Sequence, residues 1–266
     1  MSVWSSSGAL VVGHRGGRAT GPIGERATPP SNGQEGRTWP AENTMAAFEQ
    51  ARRQGARAIE LDVRTCGSGE VVVFHDETLS RMTGSRDERR VDAVDWASLA
   101  RVDLGGGARV PRLGEVLGWA REAGVAVNVE LKHEVPSRRA LVRAAVRALA
   151  DAQADVLLSS FDPLLLAMAA ARASRVPRAL LTYADQPRWA GAVFRASRPP
   201  FVQAVHLDRA QAAASVVGAC ARRGLRVGVW TVNDASEARE FVRDGAATII
   251  TDAPGRLLAA GVESAR

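Results

Sequence analysis

Short apolar runs alternate with helical patterns along the whole chain, and this alternation limits the fold more than any other feature. The runs cover residues 9–12, 57–63, 125–132, 156–160, 178–182, 202–207, 226–231 and 247–251. Helical patterns fall at 44–54, 113–122, 137–153, 164–171, 185–198, 211–223 and 237–243. The clearest, 137–153, spaces Leu141, Val142, Ala145, Val146 and Leu149 on one face with arginines opposite. Apolar runs joined by helices build a parallel sheet with crossover connections. Eight such units within 266 residues predict an α/β fold, a closed (β/α)8 barrel of the TIM type, with residues 1–266 forming one domain. An open doubly wound sheet is the alternative, but no Gly-x-Gly-x-x-Gly turn opens the first helix.

One segment breaks the alternation. Residues 58–76 read as a strand, a glycine turn and a second strand ending in His75-Asp76. Only residues 64–71 separate the two arms, and a parallel crossover needs roughly a dozen residues or more, so the second arm is an antiparallel hairpin excursion after strand 2. A two-residue turn at Ser68-Gly69 would oppose residues whose numbers sum to about 137, setting His75 beside Asp62. Glu60 and Asp62 share one face of the first arm, while Ile59, Leu61 and Val63 share the other. After strand 1, residues 17–41 are rich in Gly, Pro, Thr and Arg and predict a long loop, either a surface insertion or a lid. Asn43 is expected to cap the first helix. Residues 78–111 read as polar and broken, with one short helix near 96–101.

Charge says less than its total suggests. The net charge of +6 and the pI near 10.6 would ordinarily point to nucleic acid or an acidic membrane surface. Of the 35 basic residues, 34 are arginines spread over most of the chain rather than gathered in a patch, so no nucleic-acid partner is expected. Lys132 is the sole lysine, which marks a position that requires a compact ammonium. Cys66 and Cys220 show no metal or redox spacing and read as free thiols of a reducing compartment. Residues 1–8 lack the pattern of a signal peptide, and no stretch approaches 18 uncharged apolar residues; a cytoplasmic protein without stable membrane insertion is expected.

In such a barrel the active site forms at the carboxyl ends of the strands. Those ends carry His14-Arg15, Glu60-x-Asp62 with His75, Glu130-x-Lys132, Ser160-Phe161, Trp230-Thr231-x-Asn233 and Asp252, with Glu42 just ahead of the first helix. Glu60, Asp62 and Glu130 bring three carboxylates from two strands with no cluster of imidazoles, a donor set that suits a hard divalent cation, Mg2+ or Ca2+. Arg15 and Lys132 add donors for an anion, and His14 and His75 can divide the roles of general acid and base. Together these groups suggest phosphoryl transfer at a phosphate ester. His133 and His206 have no partner suggested by spacing and read as structural, and Trp230 reads as packing or a pocket wall.

At these positions the chain resembles the glycerophosphodiester phosphodiesterase family. The matching motifs are Gly13-His14-Arg15-Gly16, Glu42-Asn43-Thr44, Ile59-Glu60-Leu61-Asp62-Val63, Val72-Val73-Phe74-His75-Asp76, Val129-Glu130-Leu131-Lys132, Ser159-Ser160-Phe161, Trp230-Thr231-Val232-Asn233 and Ile250-Thr251-Asp252, in order from about residue 9 to 257. The resemblance implies a TIM-type barrel that uses a divalent metal to hydrolyse glycerophosphodiesters, small-molecule substrates, to glycerol 3-phosphate and an alcohol. It implies His14 and His75 as the acid-base pair, Glu60, Asp62 and Glu130 as metal ligands, and Arg15 and Lys132 as phosphate contacts. Glu42 would orient the site or complete the metal shell. A lysophospholipase D-like activity on lysolipids and a non-catalytic phosphodiester-binding protein are the alternatives.

Overall fold

The computed structural model describes residues 2–6, 8–17, 40–183 and 200–263. Among these residues one sheet contains β1 (Leu10–Gly13), β2 (Ala58–Thr65), β3 (Val71–Val73), β4 (Ala126–Leu131), β5 (Val156–Ser160), β6 (Arg178–Leu181), β7 (Ala204–Asp208), β8 (Arg226–Trp230) and β9 (Thr248–Thr251). The order β1-β9-β8-β7-β6-β5-β4-β2 closes on itself through β1 and β2, where Val12 pairs with Ala58 and Gly13 with Ile59. Every pair in the ring is parallel, and β3 alone is antiparallel, hung on the outer end of β2. The closed eight-stranded barrel and its hairpin excursion therefore match the expectation. The predicted loop at 17–41 and helix at 185–198 fall almost wholly outside the described residues.

The strands read as nearly continuous apolar runs because both of their faces are covered. Outward residues such as Ile59, Leu61, Val127 and Val129 pack beneath helices Met45–Arg53, Leu113–Ala123 and Arg138–Ala152. The other half of the ring packs in the same way, with Val205, Val227 and Ile249 inside a second cluster. Inward, Leu10, Val12, Ala58, Ala126, Leu157, Ala179, Ala204 and Ile250 gather around Trp4. Four alanines in that layer leave room for one indole. Asp155 fastens the plug, accepting from Ser2 Oγ at 2.7 Å and from the Val3 amide at 2.8 Å.

Three local expectations are corrected. The hairpin register is shifted by one residue from the predicted one, with Val63 opposite Val73 and Thr65 opposite Val71. The turn has three residues, Gly67 to Gly69, because the Cys66 amide bonds to the Glu70 carbonyl at 3.0 Å. Asp62 consequently faces Phe74, whose amide donates to the Asp62 carbonyl at 2.9 Å, and His75 lies just beyond the ladder. The cap of helix Met45–Arg53 is Thr44, whose hydroxyl accepts from the Ala47 amide, and Asn43 is left free for another task. Residues 78–111 are less a polar connector than a small folded cover: Leu79, Met82, Val91, Leu99 and Leu104 are buried with Val72 and Phe74 in a core of their own. Their spacing follows short turns rather than one long element, so neither a period of 2 nor one of 3.6 exposes it.

Gly16 sits at the junction that holds the first catalytic candidates. Its φ is +86°, and a Cβ there would meet the Ala47 carbonyl carbon at 2.7 Å and Phe48 Cδ1 at 2.9 Å. Gly69, with φ +94°, has open space at the same position. Gly16→Ala is therefore expected to cost about 1–3 kcal/mol by chemical denaturation, more than Gly69→Ala, because overpacking adds to backbone strain. Equal losses in the two variants would show that the contact with the first helix contributes nothing.

Candidate active site

Strand register assembles the acidic centre. Asp62 on β2 is directly paired with Glu130 on β4, and Glu60 lies two residues earlier on the same inward face. Oxygens of Glu60, Asp62 and Glu130 all lie within 4.8 Å of one another, and all three residues are buried. Burial, then the charges of Asp62 and Glu130, push the Glu60 carboxyl well above its ordinary range. Burial would raise Asp62 as well, but Arg15, Lys132, His75 and a hydrogen bond from Asn43 outweigh it and hold that carboxyl far below the usual value.

Neighbouring cations answer part of this charge. Arg15 follows β1 in a left-handed conformation, φ 51°, which turns its amide onto Glu60 Oε2 at 3.0 Å. Its guanidinium reaches Glu42 Oε1 at 2.7 Å and Asp62 Oδ2 at 3.1 Å. Burial opposes the Arg15 charge, yet Asp62, Glu42 and Glu60 hold it above its ordinary value. Lys132 Nζ lies 2.9 Å from Glu130 and 3.6 Å from Asp62, and these charges likewise raise it against the effect of burial. The sole lysine is thus inside the acidic centre, where a compact ammonium fits between two carboxylates. Asn43 clamps Asp62 twice: its side chain donates to Oδ2 at 2.9 Å and accepts from the Asp62 amide at 3.2 Å.

The Asp62 Oδ1 atom is buried and accepts no hydrogen bond. That oxygen meets the Lys132 ammonium only at 3.6 Å, and beside two further buried carboxylates it fits a hard cation, which takes oxygen ligands and neutralises their repulsion. Glu60, Asp62 and Glu130 could hold such an ion.

Two imidazoles share this mouth, each held through Nδ1 by a carboxylate. His14 Nδ1 lies 2.7 Å from Asp252 Oδ1, and its Nε2 lies 3.9 Å from Glu60. His75 Nδ1 lies 2.6 Å from Asp76 Oδ1, and its charge acts on Asp62. An ionised carboxylate only accepts, so each ring donates its Nδ1–H to its carboxylate. Burial works against the Asp76 charge, but hydrogen bonds from His75 and Arg81 keep that carboxyl below the ordinary carboxylate range. Asp252 is fixed in turn by Asn233, which donates to Oδ2 at 3.1 Å and accepts from the Asp252 amide at 2.8 Å. Arg64 donates to the His75 carbonyl at 2.8 Å and to the Glu134 carbonyl at 2.6 Å, tying the hairpin to the loop after β4.

The sequence marks these supporting residues only in part. Asn233 and Asp252 stand at strand ends without an evident role, and Asn43 was expected to act as a cap. Nothing in the spacing marks Arg64 or Arg81 among 34 arginines. Among the described residues another side of the mouth is aromatic, with the Phe161 ring 5.6 Å from both Tyr183 and Trp230 and 6.4 Å from His133. Trp230 is held by its indole N–H on the His206 carbonyl at 3.2 Å, as a wall residue. Burial pushes His206 down to about 4, so that ring is neutral inside the barrel.

Since Glu60 binds its proton more tightly in the native state, metal-free stability falls as pH rises from the unfolded value near 4.5 towards the raised folded one. In EDTA, Glu60→Gln is therefore expected to gain on the wild type in melting temperature as pH rises from about 5 to 8. Added Mg2+ or Ca2+ should raise the wild-type melting temperature and leave that of the variant nearly unchanged. A variant that responds to the ion as the wild type does would remove Glu60 from the site.

A sequence profile of the glycerophosphoryl diester phosphodiesterase family matches residues 14–256. The chain is 30% identical over 220 residues to the Bacillus subtilis protein YqiK, covering 80% of this chain and 90% of that one. It is 28% identical over 228 residues to a glycerophosphodiester phosphodiesterase of Caldanaerobacter subterraneus, covering 82% and 90% of the two chains. A phosphodiesterase of Oleispira antarctica, solved in complex with the product sn-glycerol-3-phosphate, shares the fold with a TM-score of 0.79 and 24% identity, covering 98% of this chain and 99% of that one. The chain belongs to the glycerophosphoryl diester phosphodiesterase family, whose members are phosphoric diester hydrolases.

Proposed function

We propose that this one-domain barrel hydrolyses glycerophosphodiesters to glycerol 3-phosphate and an alcohol, with His14 and His75 as its acid-base pair and a divalent cation as its cofactor. The observation that carries the reading is the pair of carboxylate-held imidazoles, His14 with Asp252 and His75 with Asp76, around one buried carboxylate triad. A lone histidine at a strand end is commonly structural. Two, each held through Nδ1 by its own carboxylate, can divide the two proton transfers of a diester cleavage.

In this reading Arg15 and Lys132 draw the phosphate to the mouth and offset charge that develops on its oxygens. One imidazole takes the proton from the attacking hydroxyl, and the other gives a proton to the leaving alcohol. Glu60, Asp62 and Glu130 hold the cation, with Glu42 fixing Arg15 beside them. The cation supplies Lewis-acid polarisation of the phosphoryl group. Trp230, Phe161 and Tyr183 give the substrate's carbon skeleton an apolar surface. That same surface favours a second reading, in which lysophospholipids are also cleaved at the head-group side.

Release of glycerol 3-phosphate from glycerophosphocholine, glycerophosphoethanolamine and glycerophosphoglycerol, compared with lysophosphatidic acid release from lysophosphatidylcholine, separates the two readings. His14→Ala and His75→Ala are each expected to lower kcat by about 10²–10⁴-fold with saturating cation, and EDTA should abolish turnover reversibly. Near wild-type turnover in either histidine variant would overturn the acid-base assignment. Binding of these diesters without any turnover would make the protein a phosphodiester-binding protein instead.

A further inference from the structure

Arg81 stands outside the set of residues that the strand ends present. It belongs to the short helix Ser80–Thr83, in the cover that follows the hairpin. Its guanidinium spans two carboxylates of the mouth. Nε donates to Asp76 Oδ2 at 2.6 Å, and Nη2 donates to Glu42 Oε1 at 2.6 Å and to Asp76 Oδ1 at 3.1 Å. Asp76 Oδ1 is also the atom bonded to His75 Nδ1 at 2.6 Å. Glu42 is buried and already tied to Arg15 at 2.7 Å, so it gives Arg81 a rigid anchor.

We propose that Arg81 is a positioning residue, which is anchored on Glu42 and locks the Asp76 carboxylate that orients His75. The inference rests on the acid-base reading of His75. A carboxylate one residue from its histidine can rotate about its own side-chain bonds, and a bond from one imidazole leaves that rotation open. A planar guanidinium fork on both oxygens removes it. The main chain of His75 is held independently by Arg64 at its carbonyl, so Arg81 acts on the side chain of the dyad alone. The hairpin thereby supplies the histidine and its carboxylate, and the cover supplies the clamp. This division explains why a segment with its own small core is built against β3.

The Arg81 side chain is 36% exposed, so truncating it opens no core cavity; the loss of its bonds to Glu42 and Asp76 should lower the melting temperature of Arg81→Ala, and turnover is therefore compared well below that temperature. With glycerophosphocholine and saturating divalent cation, Arg81→Ala is expected to lose kcat on the order of 10- to 100-fold, with KM held within about threefold. Arg81→Lys, which keeps the charge and loses the fork, should fall between the two. Guanidinium chloride at a non-denaturing concentration should restore part of the kcat of Arg81→Ala and none of that of His75→Ala. In proton NMR the downfield Nδ1–H resonance that His75→Ala abolishes should weaken in Arg81→Ala. Wild-type kcat in Arg81→Ala beside an inactive His75→Ala would overturn the positioning role alone, as would a rise in KM at unchanged kcat. Wild-type turnover in His75→Ala would overturn the acid-base reading, and the role of Arg81 with it.

Discussion

Three buried carboxylates within 4.8 Å of one another repel, and most of what surrounds the mouth of this barrel is an answer to that repulsion. At the effective dielectric of a protein, each pair at such a distance opposes folding by on the order of 3 kcal/mol. Arg15 and Lys132 offset part of this, Asn43 adds two hydrogen bonds to Asp62, and the Arg15 amide adds one to Glu60. The opposite outcomes for two neighbouring acids follow from these partners. Asp62 faces both cations and is held ionised, whereas Glu60 keeps a raised affinity for its proton. A site that still favours a further positive charge after two cations have been placed beside it suits a divalent ion, which Glu60, Asp62 and Glu130 would hold.

The same comparison sorts the arginines. Pairs such as Arg52 with Glu49, Arg90 with Asp92 and Arg112 with Glu115 lie in solvent, where an ion pair contributes roughly 0–1 kcal/mol. Each matches one positive charge with one negative, so they add nothing to the net charge and nothing to the chemistry. Arg15, Arg64 and Arg81 are different because each spans two elements at the barrel mouth. Net charge therefore misdirects in this chain, and the location of a few guanidiniums decides.

The barrel was legible because the strand signal repeats eight times and the helix signal seven, and a repeated signal survives local error. The hairpin excursion was legible from chain length alone, since the connection is too short for a parallel crossover. Its register was not, because a two-residue and a three-residue turn differ by one position and both fit a Gly-Ser-Gly sequence. The acidic triad and both histidines were visible as polar residues at the ends of apolar strands. Their supports were hidden for a physical reason. Asn43, Asn233 and Asp252 act on residues distant in sequence, and Arg81, five residues from Asp76, also reaches back to Glu42, so nothing local to them records the partner. Lys132 was the exception, marked by its rarity. The small core of residues 78–111 escaped because its apolar residues are separated by turns and follow no single period.

Whether the buried triad takes up a divalent cation decides the chemistry open to this mouth. Equilibrium dialysis of the metal-stripped protein against Mg2+ or Ca2+ measures this without reference to any substrate. One ion per chain in the wild type, and none in a variant carrying Glu60→Gln, Asp62→Asn and Glu130→Gln together, is the predicted result. Uptake that is absent in the wild type at millimolar ion, or unchanged in the triple variant, would contradict it.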